Sequence, residues 1–238
     1  MSRPTRCGHL LPGLLAGFAA CLFLLISAVD WAAFDPAFYR RQYARLDTAA
    51  DIGITEAELE EGTKVLLDYL AGRRDDLSIE VMRNGSRQAL FNDREWAHMV
   101  DVRDLYRGAL NVRLVALVAI LISILIYKRE ARPDLRLFAR GSRYGIGLFL
   151  ALVALVALWA TVDFGGFWTR FHLIFFRNDL WILDQETDML IRMVPEPFFD
   201  ALVRRIVLAT AGGILILWGL AFFLPRIRRR SQRTDSQQ

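Results

Sequence analysis

Two of the three histidines in this 238-residue chain stand in stretches dense with polar and aromatic side chains. His98 lies in NDREWAHMVDVRDLY, residues 92–106, and His172 in RFHLIFFRND, residues 170–179. A neutral imidazole near neutral pH accepts a proton and its conjugate acid returns one, so the pair suits general acid–base work. Glu95, His98, Asp101 and Leu105 recur at three- and four-residue spacing, which places them on one face of a helix. A carboxylate one turn from His98 would orient the ring or hold its proton. The same spacing also describes an exposed helix face with incidental charges. Around His172, the rings of Phe164, Phe167, Trp168, Phe171, Phe175 and Phe176 withdraw the imidazole from water. They are the side chains of a helix lying in a membrane–water interface. Asn178, Asp179, Asp184 and Asp188 follow as residues that shape turns and cap helices.

Other chemistries lack their residues. There is no G-x-S-x-G nucleophile elbow, no phosphate-binding glycine loop and no H-E-x-x-H. The two cysteines, Cys7 and Cys21, precede or enter the first apolar run and support neither a disulfide framework nor a metal site. No local ligand pair points to a metal, and no cofactor is implied. The net charge of +4 comes from basic clusters beside apolar runs, which fits anionic lipid headgroups and not nucleic acid.

The elements that must position the histidines follow from hydropathy. At 54% hydrophobic the chain is too apolar for an ordinary soluble domain. A spanning helix needs roughly 20 apolar residues. Leu10–Val29, Tyr144–Val162 and Ile206–Pro225 carry no Asp, Glu, Lys or Arg. Leu114–Tyr127 is shorter, so that span is placed from Ala109 with Arg113 inside it, snorkelling or facing protein. Arg3 and Arg6 precede the first span. Lys128, Arg129, Arg132, Arg136, Arg140 and Arg143 separate the second and third. Arg226, Arg228, Arg229, Arg230 and Arg233 follow the fourth. By the positive-inside rule all three segments are cytoplasmic.

The expected protein is an α-helical integral membrane protein of the cytoplasmic membrane. It has four transmembrane helices (residues 10–30, 109–127, 144–162 and 206–225), both termini cytoplasmic, and a small extracytoplasmic α+β cap. The cap comprises residues 31–108 and 163–205, residues 128–143 form a cytoplasmic loop, and 226–238 a basic cytoplasmic tail. Because apolar residues continue to Val29, past the lipobox-like FAAC at 18–21, the first span is read as retained and not as a cleaved signal. His9 reads as a polar boundary residue at the inner end of that span.

In the first outer segment, Asp35-Pro36 predicts a helix start, and Thr55 with Glu58 a capping box. Leu59, Leu66, Leu67 and Leu70 give that second helix an apolar face, and Gly72 ends it. LSIEVMRNGSRQALF alternates about Asn84-Gly85, a two-residue hairpin turn. Asn92-Asp93 starts the helix that carries His98.

REWAHMVDVRDL, together with FHLIFFRNDLWILDQETDMLIRMVPEPFF, resembles the lipoprotein intramolecular transacylase (Lit) family of four-span bacterial membrane proteins. F-H-x-x-F-F-x-N-D-x-W-x-x-D over residues 171–184 is the more specific part, and H-M-x-D-V-[KR] gains weight from its place before the second span. Gln185 stands where the family pattern leads one to expect proline, a change that bears on a turn. The resemblance covers the order of spans and both outer segments, but not the region before Phe91.

The resemblance implies that the sn-2 acyl chain of a diacylglyceryl lipoprotein moves to the α-amino group of its N-terminal cysteine, giving a lyso-form lipoprotein. The partners implied are a diacylated lipoprotein and membrane lipid. The nucleophile belongs to the substrate, so no serine or cysteine of the protein is required, and intramolecular attack is worth roughly 7–11 kcal/mol when well oriented. His98 and His172 are then the expected catalytic pair. Asp101 is expected to orient His98, Arg103 and Arg177 to stabilise negative charge, and Asn178, Asp179 and Asp184 to hold the second outer segment in shape. Without the resemblance, two other readings stand: a membrane lipid hydrolase using the same histidines, and a non-enzymatic sensor or assembly protein. One geometric condition accompanies the pair. An unbroken helix from His98 to Leu110 would raise His98 roughly 18 Å above the second span. A bend at Gly108, an earlier span start, or a site above the bilayer would each answer it.

Overall fold

The computed structural model describes residues 9–130 and 133–235, without the side chains of residues 160, 161, 164 and 224–235. Arg3, Arg6, Cys7, Arg132 and the side chains of the basic tail lie outside the described residues. The chain divides into two compact units. One, the span unit, comprises residues 1–29, 110–164 and 206–238; the other, the histidine unit, comprises 30–109 and 165–205.

Among the described residues, four helices are long and apolar enough to cross a membrane: α1 (Leu10–Ala33), α5 (Asp93–Arg129), α6 (Leu135–Val162) and α9 (Glu196–Asp235). The protein is therefore mostly helical and multi-pass. Helix α5 is continuous through Gly108, so that residue makes no break. Within the span unit, α1 and α6 meet backbone to backbone. Gly13 and Gly17 lie against the carbonyls of Phe138 and Ser142, and Gly141 and Gly145 against those of Leu10 and Leu14. A Cβ at any of the four would stand 2.1 Å from a carbonyl oxygen, so only glycine fits. Each helix thus contributes a G-x-x-x-G pair to a reciprocal crossing, the arrangement that lets apolar helices gain van der Waals contact where lipid offers no hydrophobic gain. A small core of Cys21, Ile146, Phe149 and Ile214 continues the contact. Arg143 donates from Nη1 to the Ala221 carbonyl at 2.8 Å. His9 is buried, edge-on to Tyr127 at 5.9 Å.

The histidine unit is built differently. Helix α2 (Pro36–Leu46) starts with Asp35, whose carboxylate accepts the Ala37 N–H at 3.0 Å, and with Pro36 in the first turn. The same carboxylate pairs with Arg205 at 2.6 Å, which holds it below the usual carboxylate range. A short helix α3 (Thr48–Ile52) follows, bounded by left-handed residues Asp47 and Gly53. Helix α4 (Glu56–Leu70) carries the full Thr55–Glu58 capping box. Strands β1 (Glu80–Arg83) and β2 (Ser86–Ala89) pair antiparallel about Asn84 (φ 54°) and Gly85 (φ 78°). Positive φ at both turn residues matches strand twist and explains the Asn-Gly choice. Glu58 also accepts the Met82 N–H at 2.6 Å, so the capping residue of α4 anchors the hairpin.

From the second connecting segment come α7 (Phe164–Phe175) and α8 (Met189–Met193). One core joins both segments. Phe38, Tyr39 and Tyr43 of α2 surround Phe198, with ring centroids 5.0–5.7 Å from it. Leu59, Leu66 and Leu67 of α4, and Met189, Leu190 and Met193 around α8, complete it. Such ring pairs each add about 0.5–1.5 kcal/mol beyond burial. Arg192 closes the arrangement with a two-point ion pair to Asp51.

Candidate active site

Helix α5 is started by Asn92. Its Oδ1 accepts the Glu95 N–H at 2.9 Å, and Glu95 Oε2 accepts the Asn92 N–H at 2.8 Å. This is a capping box, with asparagine in place of the usual serine or threonine. The other oxygen of Glu95 accepts the N–H of Leu190, nearly a hundred residues on. Glu95 is fully buried, and that burial pushes its carboxyl above the usual range against the pull of the backbone N–H groups. Asp188 stands beside it and accepts from the Asn92 side-chain amide at 2.7 Å, the Asp184 N–H at 2.7 Å and the Thr187 hydroxyl at 3.2 Å. Burial alone would raise the Asp188 carboxyl, but these donors and the charge of Arg94 hold it below the usual range. Glu95 therefore does not serve His98, although the two share a helical face. With Asn92 and Asp188 it staples the second segment to the first turn of α5.

One turn further, His98 is buried and lies edge-on to Phe176, ring centroids 5.5 Å apart. Its Nδ1 has no hydrogen-bond partner among the described residues. Burial, and then the charge of His172, lower its pKa below the ordinary histidine value, with Asp101 acting in the opposite sense. His172, near the end of α7, is also buried. It also packs against Phe176, with ring centroids 5.6 Å apart. Trp168 (4.4 Å), Phe171 (5.4 Å) and a stacked Trp181 (4.5 Å, 24°) enclose it further. Its Nδ1 lies 2.8 Å from the Trp168 carbonyl oxygen. A carbonyl only accepts, so Nδ1 carries the hydrogen and, in the neutral ring, Nε2 carries the lone pair.

The structure thus brings both histidines to Phe176, within electrostatic reach of each other. Asp101 does not hydrogen-bond to His98. Its Oδ2 instead accepts the side-chain amide of Asn178 at 2.7 Å. Asn178 further accepts the Leu180 N–H at Oδ1 (3.1 Å) and, at its carbonyl, the indole N–H of Trp181 (3.1 Å). A chain of contacts therefore runs from Asp101 through Asn178 to the ring stacked on His172. Asp179 takes Arg94 on its carbonyl at 2.6 Å and on its carboxylate at 3.9 Å. Asp184 Oδ1 accepts the Glu186 N–H at 2.9 Å, an Asx turn beside Gln185. Arg103 lies about 140° around the helix from His98 at 3.6 residues per turn. Its guanidinium sits 4.3 Å above the Tyr69 ring, turned away from the histidines. Arg177 is exposed and makes no ion pair among the described residues. A cavity of about 360 Å³ between α2 and α4, lined by Tyr39, Tyr43 and Leu67, includes none of these residues. Among the described residues no three His, Cys, Asp or Glu side chains are placed to hold a metal ion.

Two features escaped the motif reading. The Trp168 carbonyl that sets the His172 tautomer is a backbone group, and the Asn92–Glu95–Asp188 staple depends on a contact across the sequence. Only the Asn92-to-Glu95 spacing could have signalled the latter.

A family model described as lipoprotein intramolecular transacylase Lit matches residues 14–199. The chain belongs to the lipoprotein intramolecular transacylase family. As a member it is an acyltransferase of a membrane-integral family whose name specifies lipoprotein as substrate. Its fold resembles the solved structure of the membrane integral transacylase Lit from Bacillus cereus. The TM-score is 0.73 at 20% identity, with 92% of this chain and 97% of that one covered. Two further Bacillus cereus Lit structures match, one with a histidine replaced by arginine (TM-score 0.73, 20% identity, 93% of each chain). The other has alanine at that histidine (TM-score 0.69, 20% identity, 92% of this chain and 94% of that one). No curated protein sequence matches the transacylase family member significantly.

Proposed function

We propose that the protein moves the sn-2 acyl chain of a diacylglyceryl lipoprotein onto the α-amino group of its N-terminal cysteine, with His98 and His172 as the catalytic pair. The observation that carries this reading is the His172 Nδ1 contact to the Trp168 carbonyl, which leaves Nε2 as a base. The substrate amine, with an unperturbed pKa of about 7.7–8.0, loses its ammonium proton to solvent and attacks the ester carbonyl in its neutral form, and the proton released on attack passes to Nε2. His98, kept neutral by burial and by the charge then on His172, donates an N–H to the oxyanion. Its Nδ1 is buried without a hydrogen-bond partner among the described residues, and the N–H offered to the substrate is assigned to Nε2. When the carbon–oxygen bond to the glyceryl group breaks, the His172 imidazolium returns its proton to the departing oxygen. An ester and an amine become an amide and an alcohol, with no external reactant.

The remaining residues support the pair. Asn178 and Trp181 hold the His172 ring, Asp184 shapes the turn that follows, and Asp179 ties it to α5 through Arg94. Arg177, exposed on the segment that follows α7, is the candidate for a lipid phosphate or the oxyanion. Arg103 serves packing against Tyr69. The Lys and Arg distribution supports a topology with both termini cytoplasmic and the histidine unit on the extracytoplasmic side of the cytoplasmic membrane. Residues 31–108 and 163–205 would then form a cap at the membrane–water interface, beside the lipid ester.

The reaction is tested by expressing the chain in cells that make only diacyl lipoproteins and fragmenting a lipoprotein's N-terminal peptide by mass spectrometry. One acyl chain on the amine, one on the glycerol and an unchanged total acyl mass are expected. Loss of one acyl mass would replace this reading with lipid hydrolysis, and an unchanged peptide would contradict both.

A further inference from the structure

We propose that Asp101 holds the substrate's α-ammonium group through Oδ1, beside the histidines that handle its proton. The inference rests on the transacylase reading and assigns the recognition element for the acceptor end of the substrate. An amine that reaches a site walled by Trp168, Phe176 and Trp181 arrives charged and loses water. Such a cation is stabilised only where a carboxylate or several acceptors replace its hydration.

The carboxylates around the histidines differ in what they have left to offer. Both oxygens of Glu95 are occupied by backbone N–H groups, and the side chain is fully buried. Those of Asp188 are taken by Asn92, Asp184 and Thr187. Asp184 caps its own turn, and Asp179 faces Arg94. Asp101 alone among these five is half-open with one oxygen committed, and committed to a neutral donor, the Asn178 amide on Oδ2. No Lys or Arg pairs with it among the described residues, so its full negative charge is unspent. It stands one helical turn from His98, close enough for its charge to act on that ring. The Asn178 bond also fixes the carboxylate's orientation, and a preoriented acceptor loses little freedom when the ligand binds.

Two roles for Asp101 must be separated: charge toward the ligand and support of the Asn178–Trp181 contact. Asp101→Asn removes the charge and keeps an oxygen for Asn178. Asn178→Ala keeps the charge and removes the support. The probe is a lipopeptide with ether-linked chains, which cannot transfer an acyl group, compared with the same molecule carrying a hydroxyl in place of the α-amine. Binding to the purified full chain in detergent is measured at neutral pH, after thermal melts show each variant folded. The wild-type protein is expected to bind the amine about tenfold more tightly. Asp101→Asn should bind the two alike, and Asn178→Ala should keep most of the preference. A wild-type protein without preference overturns the assignment, as does an Asp101→Asn variant that retains it, or an Asn178→Ala variant that loses it as fully. Acyl transfer to an ester-linked lipopeptide, run beside the binding assay, separates the two levels. Transfer without amine preference defeats only the Asp101 assignment, whereas absent transfer by wild-type protein defeats the transacylase reading beneath it.

Discussion

The span unit and the histidine unit achieve packing by opposite means. In the span unit the closest contact is made by the smallest residue: four glycines let α1 and α6 touch backbone to backbone, while leucines face outward, Leu208 being 73% and Leu155 63% exposed. In the histidine unit the closest contacts are made by the largest residues. Phe198 sits among three rings of α2, and His172 sits among four aromatic side chains. The contrast is the one that the proposed topology requires, with the span unit in hydrocarbon and the histidine unit outside it. Apolar burial stabilises a water-exposed fold at about 25 cal/mol per Å², but between helices already in hydrocarbon it gains little, and close approach must serve instead. The histidine unit can therefore spend volume on a site with dry walls, where His98 Nδ1 is buried without a hydrogen-bond partner among the described residues, as are polar atoms of Gln42, Thr48, Arg103 and Arg205 elsewhere in the unit.

The sharpest way to break this division is at the pair itself. His172→Ala should lower acyl transfer by about 100-fold or more, the usual range for a lost general base, and lower the melting temperature as well, since it empties a ring position buried among four aromatic side chains. Rates and melts of the purified protein check it. Next in size is the span unit. Gly145→Val places a Cβ 2.1 Å from the Leu14 carbonyl and must part the helices, for a loss of about 3 kcal/mol or more, seen as lowered yield and melting temperature in detergent. A valine replacing Leu155, on an exposed face, should leave both unchanged.

Glu95 gives a smaller and more discriminating effect. Glu95→Ala strands two backbone N–H groups and should cost about 2–6 kcal/mol at 1–3 kcal/mol for each buried unpaired group. Glu95→Gln keeps an acceptor for Leu190 and should recover much of that, because burial already disfavours the ionised acid. Thermal melts of the two variants decide it.

The pH effect is smaller still. His98 in the folded protein has a pKa below the ordinary value of about 6.5, so below that pH the unfolded chain takes up the proton more readily. Stability should fall as pH drops through 6.5 and stop falling once the folded ring also titrates. His98→Phe should remove this slope, measured by denaturant unfolding between pH 7 and pH 5.

Much of the scaffold was legible in sequence because its signals are local. Runs without charge mark four long apolar helices. Asp35-Pro36, Thr55 with Glu58, and Asn84-Gly85 mark a cap, a capping box and a turn through the chemistry of two to four adjacent residues. Helix α3 was not legible, since five residues between two left-handed positions are too few to show a period. The G-x-x-x-G pairs are visible as spacing, but the register that seats Gly17 on Ser142 is not. In the candidate site, the residue types and both histidines were readable. The partner of Asp101 was not: helical spacing placed its carboxylate beside His98, yet its hydrogen bond goes to Asn178 in another segment. Arg103, on the same helix, turned out to face Tyr69. Spacing fixes the face of a helix, whereas pairing depends on which segment docks there.

The measurement that bears most directly on the central claim is acyl transfer by purified wild-type, His98→Ala and His172→Ala proteins on one synthetic diacylglyceryl lipopeptide, followed by fragmentation mass spectrometry. An amide-linked acyl chain with unchanged total mass is expected for the wild type, and its loss in both folded variants, the larger loss at His172. Transfer at the wild-type rate by either folded variant would contradict the histidine pair.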